Sequence, residues 1–128
     1  MEYAPRPTYE NELRLLRDTE DIKVLVGVRR CGKSTLLRWL QGDLLDSGVG
    51  AGNVFYRRMD LFGMPTNPNA EWLVGEISAA IEKSDPLKPF YVLLDEIQDV
   101  DGWERVVRQL HTRPNTDVYI TGSNAYVL

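Results

Sequence analysis

A short stretch near the N-terminus constrains this 128-residue chain more than any other feature. It reads Gly-Val-Arg-Arg-Cys-Gly-Lys-Ser over residues 27–34 and fits the pattern G-x-x-x-x-G-K-[ST]. The apolar run before it predicts a buried strand over residues 22–26, and the segment after it predicts a helix that runs to about Asp46. A strand, a glycine-bounded loop and a helix are the context in which this pattern binds phosphate. We therefore predict a nucleotide-phosphate site here, rather than an ordinary glycine turn with a solvated lysine.

The residue types in this loop suit phosphate and Mg²⁺. Gly27 and Gly32 permit backbone angles that let successive N–H groups surround phosphate oxygens. The N-terminus of the following helix adds unpaired donors and the positive end of its dipole. Lys33 can reach the β- and γ-phosphates, and the Ser34 hydroxyl can complete the coordination of Mg²⁺. The predicted nucleotide-binding residues are Gly27, Val28, Arg29, Arg30, Cys31, Gly32, Lys33, Ser34 and Thr35.

Three side chains inside the loop keep more than one interpretation. Cys31 fits as a small side chain, and a thiol at a helix N-terminus can also be reactive when nucleotide is absent. Arg29 and Arg30 are either solvated on the outside of the loop or in contact with phosphate or a partner. The sequence alone does not separate these alternatives.

A second chemical signal lies at the end of an apolar run. Residues 90–94 are continuously apolar, which is typical of a strand buried on both faces of a parallel sheet, and Asp95 and Glu96 follow directly. Burying two acids at the end of a strand has a high desolvation cost unless the acids bind a cation or exchange a proton. By itself such a pair more often marks a strand end that reaches solvent. Downstream of a phosphate loop, it predicts that Asp95 orders Mg²⁺ and that Glu96 polarises the attacking water.

The other segments predict alternating strands and helices. Residues 1–20 are expected to form an extended arm and a short helix. A second strand is expected to begin at Val54 and end near Asp60. Arg57 and Arg58 in this strand indicate a sheet edge more than a basic docking patch.

Two later helices are predicted from apolar periodicity. The first is expected to carry Pro68 in its first turn with Asn67 or Asn69 as the cap, and the second to begin with a capping box over residues 101–104. His111 is expected at the C-terminus of the second helix, where the dipole favours it, and not as a catalyst or ligand. The expected buried residues are Leu73, Ile77, Ala80 and Ile81 in the first helix, and Trp103, Val106, Val107 and Leu110 in the second.

Composition narrows the class of protein. The length supports one domain with a real core, and 43% hydrophobic residues is ordinary for a globular chain. A net charge of −4 argues against a dedicated nucleic-acid surface. The single cysteine excludes an internal disulfide and is consistent with a cytoplasmic protein. No segment approaches the length of a membrane span, so no membrane association is expected.

Three segments together resemble a known family. They read GVRRCGKS, YVLLDEIQDVDGWE and DVYITGSN, the last ending in small polar residues after a predicted fourth strand. In this order they closely resemble the prokaryotic AAA+-like ATP-binding proteins, in which such a domain precedes an uncharacterised C-terminal region. The resemblance implies ATP with Mg²⁺, a Walker A motif at residues 27–34, a Walker B motif at Asp95 and Glu96, and a sensor-1 position at Ser123 or Asn124. It also implies a three-layer α/β P-loop NTPase fold of the AAA+/ASCE type, with a parallel sheet in the order 5-1-4-3-2.

The resemblance also sets expectations about the whole protein. Family members continue into a fifth strand and a further domain, so residues 1–128 are expected to be one partial ATPase core, truncated after the fourth core strand. Without a fifth strand, the strand at residues 22–26 is expected to become an edge and to promote self-association. A protein or nucleic-acid partner is expected to bind through the missing C-terminal region.

Two classes of function follow. The first is an enzyme that hydrolyses Mg·ATP to rearrange a partner or its own missing domain, with Glu96, Lys33 and Asn124 as the catalytic residues. The second is a nucleotide-dependent switch or binding module with negligible turnover. Glu96 favours the enzyme, because a pure binder has no need of a water-polarising acid. A small-molecule kinase would usually show an arginine-rich lid, and no such segment is evident in the sequence.

Overall fold

Helices lie on both faces of a parallel sheet, as the sequence predicts. The structure is a computed structural model that describes residues 23–25, 33–59 and 63–122, with the backbone alone for residues 23–25 and 33–36. The strands are β1 (Lys23–Leu25), β2 (Val54–Arg58), β3 (Phe90–Asp95) and β4 (Thr116–Thr121). The helices are α1 (Lys33–Asp46), α2 (Ala70–Glu82) and α3 (Trp103–His111). Single 3₁₀ turns span Ala51–Asn53 and Ile97–Asp99.

The parallel pairing of the strands brings their carboxyl ends together. The order is β1-β4-β3-β2 and every pairing is parallel. This order confirms the one implied by the family resemblance for the strands described, and it confirms β2 as an edge strand of the sheet. In register, Leu25 is opposite Thr121, and Arg58 is opposite Asp95. The carboxyl ends of all four strands therefore lie at one end of the sheet, which we call its carboxyl edge, as distinct from the edge strands at its two sides.

The two faces of the sheet bury different sets of residues. On one face, α1 packs its leucines against alternate residues of β3 and β4, including Leu93 and Tyr119. On the other, α2 and α3 cover residues such as Val92 and Ile120. Every residue of β3 is buried, which confirms the prediction of a strand buried on both faces. Because side chains alternate along a strand, Asp95 lies on the same face as Leu93, the face that α1 covers.

The apolar stripes of the later helices largely agree with prediction. In α2, Leu73 and Ile77 are buried, whereas Ala80 and Ile81 are only half-buried against the core. All four residues predicted for α3 are buried, and α3 ends at His111. His111 is exposed at this position.

The predicted helix starts need two corrections. Asn69 is the cap of α2, with its side chain accepting from the Trp72 N–H at 2.9 Å, but Pro68 precedes the cap and the first-turn placement was wrong. The capping box of α3 was also wrong, since its cap is Gly102 in the left-handed region, at φ 78°, with no side-chain hydrogen bond. The reason is tertiary: the Asp101 N–H donates to the Pro68 carbonyl at 2.9 Å, and this bridge sets the direction of the chain before α3.

One buried asparagine holds the loop before β3. The Asn53 side-chain amide donates to the carbonyls of Asp85 at 3.1 Å and Pro89 at 3.0 Å, and its Oδ1 accepts from the Asp85 N–H at 2.9 Å. We expect Asn53→Ala to lower the free energy of unfolding by about 2–4 kcal/mol, because several partly buried backbone groups lose their partner together. Urea unfolding measures this. The exposed cap variant Asn69→Ala is the control, with an expected loss of about 1 kcal/mol, and equal losses would contradict the role given to Asn53.

Candidate functional site

A buried acid lies at the carboxyl edge of the sheet, with both of its oxygens hydrogen-bonded. Asp95 ends β3 and has no solvent-exposed surface. The Thr121 hydroxyl donates to Oδ1 at 2.5 Å, and the Tyr56 hydroxyl donates to Oδ2 at 3.1 Å. Three adjacent strands therefore supply one network, since Tyr56 lies in β2 and Thr121 ends β4. These contacts hold the plane of the Asp95 carboxylate in one orientation.

The second acid leaves the strand in an uncommon backbone conformation. Glu96 is left-handed, at φ 57° and ψ 48°, a conformation that costs a residue other than glycine about 1 kcal/mol or more. Its N–H donates to Thr121 Oγ1 at 3.1 Å, and its Oε2 accepts from the Gln98 side-chain amide at 2.8 Å. Residues held in such conformations cluster at functional sites.

The Thr121 hydroxyl joins the two acids. It accepts a hydrogen bond from the Glu96 N–H and donates a hydrogen bond to the Asp95 carboxylate. Because a hydroxyl has one proton, both directions of hydrogen bonding at Thr121 are determined. The backbone of Glu96 and the carboxylate of Asp95 are therefore fixed relative to each other through β4.

Tyr56 acts as a donor in this network. Burial, followed by the charge of Asp95 and the hydrogen bond to it, raises the pKa of Tyr56 to about 12, and the charges of Arg38 and Arg58 act in the opposite direction. The phenol is therefore protonated near neutral pH. Since its folded pKa lies above the ordinary value of 10.0, its contribution to stability is present below pH 10 and is lost as the pH rises toward 12.

Most of the predicted phosphate loop lies outside the described residues. This holds for Gly27, Val28, Arg29, Arg30, Cys31 and Gly32, and for the sensor candidates Ser123 and Asn124. Lys33, Ser34 and Thr35 form the first turn of α1, and their side chains are likewise not described. Leu25, which precedes the loop in the chain, is opposite Thr121. The described part of β1 thus ends at the same end of the sheet as Asp95.

Sequence reasoning missed two residues of this network. Tyr56 shares a face with Val54, and the implied strand order places β2 beside β3, so alternation along β2 was a usable signal. For Gln98 no such signal exists, because its contact with Glu96 depends on the left-handed turn after β3. Thr121 was seen only as one of several small polar residues after the fourth strand.

The sequence profile of the AAA domain family matches residues 19–128. The chain belongs to this family. The AAA domain is also 37% identical over 123 residues to an uncharacterized protein of Haemophilus influenzae, a match that covers 96% of this chain and 30% of that relative. The chain therefore spans about a third of the length of this curated relative. No solved structure matches the chain.

Membership in the AAA domain family confirms the resemblance to AAA-like P-loop ATPases and agrees with the α/β fold. It also supports nucleotide binding as the general activity of the chain. No helix within the described ranges is long and apolar enough to cross a membrane. Nor do those ranges contain a group of three or more His, Cys, Asp or Glu residues arranged to hold a metal ion. In nucleotide sites in general, Mg²⁺ is usually bound by one or two carboxylates together with phosphates and water, which is fewer protein ligands than such a group supplies.

Proposed function

We propose that this AAA domain binds Mg·ATP between the loop at residues 27–35 and Asp95, and that it hydrolyses ATP to change the conformation of a partner or of another part of the protein. The observation that carries the proposal is the position of Asp95. Its carboxylate is fully buried at the carboxyl end of β3, on the face covered by α1. Ligands of open α/β sheets bind at the carboxyl ends of the strands, so Asp95 lies where a bound nucleotide and its Mg²⁺ would be expected.

The residues present fit a magnesium nucleotide. The Asp95 carboxylate and the Ser34 hydroxyl are oxygen ligands of the kind that Mg²⁺ prefers. When bound, Mg²⁺ neutralises charge on the phosphate oxygens. Lys33 would add a positive charge beside those oxygens.

The hydrolytic step is assigned to Glu96. Its carboxylate follows Asp95 directly and is only partly buried, so water can reach it. In the proposed reaction Glu96 accepts a proton from the water that attacks the terminal phosphate. Ser123 or Asn124, which follow β4 in the chain, would contact that phosphate as the sensor.

The metal role of Asp95 has a direct test. We expect Asp95→Asn to raise the Mg²⁺ concentration that gives half-maximal ATP hydrolysis by about tenfold, because the amide keeps the shape but loses the charge that attracts the cation. Phosphate release at increasing Mg²⁺ and saturating ATP measures this. Asp117→Asn is the matched control. Like Asp95, Asp117 is a buried acid, but it lies at the amino end of β4, where its carboxylate accepts a hydrogen bond from the Tyr119 hydroxyl. An unchanged Mg²⁺ requirement in Asp95→Asn would contradict the assignment.

Calorimetry combined with the phosphate-release assay distinguishes an enzyme from a protein that binds Mg·ATP without hydrolysing it. A wild-type protein that binds Mg·ATP by calorimetry and releases no phosphate would be a nucleotide-dependent switch rather than an enzyme. A protein that binds no nucleotide would contradict both functions.

A further inference from the structure

The side chain of Gln98 connects Glu96 to the end of β4. Its Nε2 donates to Glu96 Oε2 at 2.8 Å. Within the part of the chain that the structure describes, Glu96 Oε1 accepts no hydrogen bond. One oxygen of the carboxylate is thus hydrogen-bonded by a protein side chain, and the other has no such bond within the described residues.

The other end of the Gln98 carboxamide lies against Gly122. A Cβ placed on Gly122 would lie 2.5 Å from Gln98 Oε1, which is closer than real Cβ contacts come, and 3.3 Å from Cγ2 of Ile97. A side chain at this position would therefore displace the carboxamide from the place where it holds Glu96. Gly122 follows Thr121, whose hydroxyl already holds the Glu96 backbone. Residues at the end of β4 therefore restrict the position of the Glu96 backbone, through Thr121, and the position of the Gln98 carboxamide, through Gly122.

We propose that Gln98 is a positioning residue, which holds the Glu96 carboxylate in the orientation that accepts a proton from the attacking water. This inference rests on the proposed function, in which Glu96 is the proton acceptor. In this role Gln98 acts on the reaction through its hydrogen bond to Glu96. Gly122 contributes by leaving space for the carboxamide.

The physical reason is the freedom of an unsupported glutamate. A glutamate side chain has several torsions with a few staggered positions each, and a partly exposed carboxylate without a partner spreads over many of them. A single bond from Gln98, itself confined by Gly122, selects one arrangement. A catalytic group misplaced by about 1 Å can reduce a rate by about a hundredfold, so a partial loss of order is expected to reduce kcat by about tenfold.

The experiment uses the complete protein as its gene encodes it. Gln98→Met keeps the length of the side chain and removes the donor, and we expect kcat for ATP hydrolysis to fall about tenfold with KM for ATP unchanged. Gln98→Lys restores a donor and is expected to recover kcat to within about threefold of the wild-type value. A loss of kcat that Gln98→Lys does not recover, or an equal change in KM, would overturn the proposal.

A double variant tests whether Gln98 acts through Glu96. In a protein that already carries Glu96→Gln, adding Gln98→Met is expected to cause no further loss of kcat, because the group that Gln98 positions is gone. Full additivity of the two losses would contradict the proposal. If Glu96→Gln alone keeps wild-type turnover, the proposed proton acceptor is wrong. If it is inactive while Gln98→Met has the wild-type kcat, only the positioning role fails.

Gly122→Ala moves the carboxamide without changing either partner. The added methyl group would displace Gln98 Oε1, and we expect the same tenfold loss of kcat as in Gln98→Met. Wild-type kcat in Gly122→Ala would contradict the role of Gly122.

The contact between Gln98 and Glu96 can also be tested without measuring ATP hydrolysis, which matters if turnover is slow. In nuclear magnetic resonance spectra of ¹⁵N-labelled protein, the two side-chain amide protons of Gln98 are expected to be well separated, and Glu96→Ala is expected to bring them together. Spectra in which Glu96→Ala leaves these resonances unchanged would show that the contact does not exist in solution.

Discussion

Glu96→Gln is expected to bind ATP with wild-type affinity and to lose at least about a hundredfold in turnover. The amide keeps the shape of the carboxylate but does not accept a proton from water. The backbone bond from the Glu96 N–H to Thr121 is unaffected by the substitution, so the left-handed turn after β3 is expected to persist. Calorimetry gives the affinity for ATP, and phosphate release gives the turnover.

Asp99→Asn is the matched control for this prediction. Asp99 is an exposed acid of the 3₁₀ turn that follows Glu96, so the substitution removes the same charge from the same short segment. Its turnover is expected to stay near the wild-type value. If Glu96→Gln hydrolyses ATP as fast as the wild type, another residue accepts the proton, and a fall in both variants would point to the charge of the segment instead.

Lys33→Ala is expected to weaken Mg·ATP binding by at least about a hundredfold, which corresponds to about 2.7 kcal/mol of binding free energy. Lysine at this place in the pattern is a positive charge directed at the β- and γ-phosphates, and alanine replaces it with nothing that attracts an anion. Lys33 is the first residue of α1, where alanine is a good helix former, so the helix is expected to be retained. Calorimetry on the folded variant measures the loss.

An exposed lysine elsewhere controls for charge alone. Lys83 is the C-terminal cap of α2, in the segment that leads to the amino end of β3, away from the edge that carries Asp95. Lys83→Ala is expected to bind Mg·ATP like the wild type. Unchanged affinity in Lys33→Ala, with an unchanged urea midpoint, would show that residues 27–34 are not the phosphate site.

Much of the fold could be predicted from local patterns. The continuous apolar run at residues 90–94 predicted a strand buried on both faces, because both sets of alternating side chains must then be apolar. Arg57 and Arg58 predicted an edge strand, because charged side chains are typical of strands at the edge of a sheet. The strand order came from the family resemblance and not from periodicity. Asp95 stood out because an acid directly after such a run has a high desolvation cost.

The details of helix starts and of the site depended on contacts between distant segments. Local pattern favoured a capping box before α3, but the hydrogen bond from Asp101 to Pro68 places Gly102 at the cap instead. Such a bond joins segments far apart in sequence, and no local propensity contains it.

By itself, the sequence determined that the pattern G-x-x-x-x-G-K-[ST] and an acidic pair occur in the chain, and it predicted a parallel α/β fold around them, since both signals consist of neighbouring residues. Only the tertiary structure decided which side chains surround the acids. Tyr56 reaches Asp95 because β2 pairs in parallel register with β3, and Thr121 joins Asp95 to Glu96 because β4 lies on the other side of β3. Gln98 meets Glu96 because the chain turns left-handed at the strand end. The physical reason is that strand register and turn geometry depend on the packing of the whole sheet, whereas a sequence motif consists of residues within one short segment.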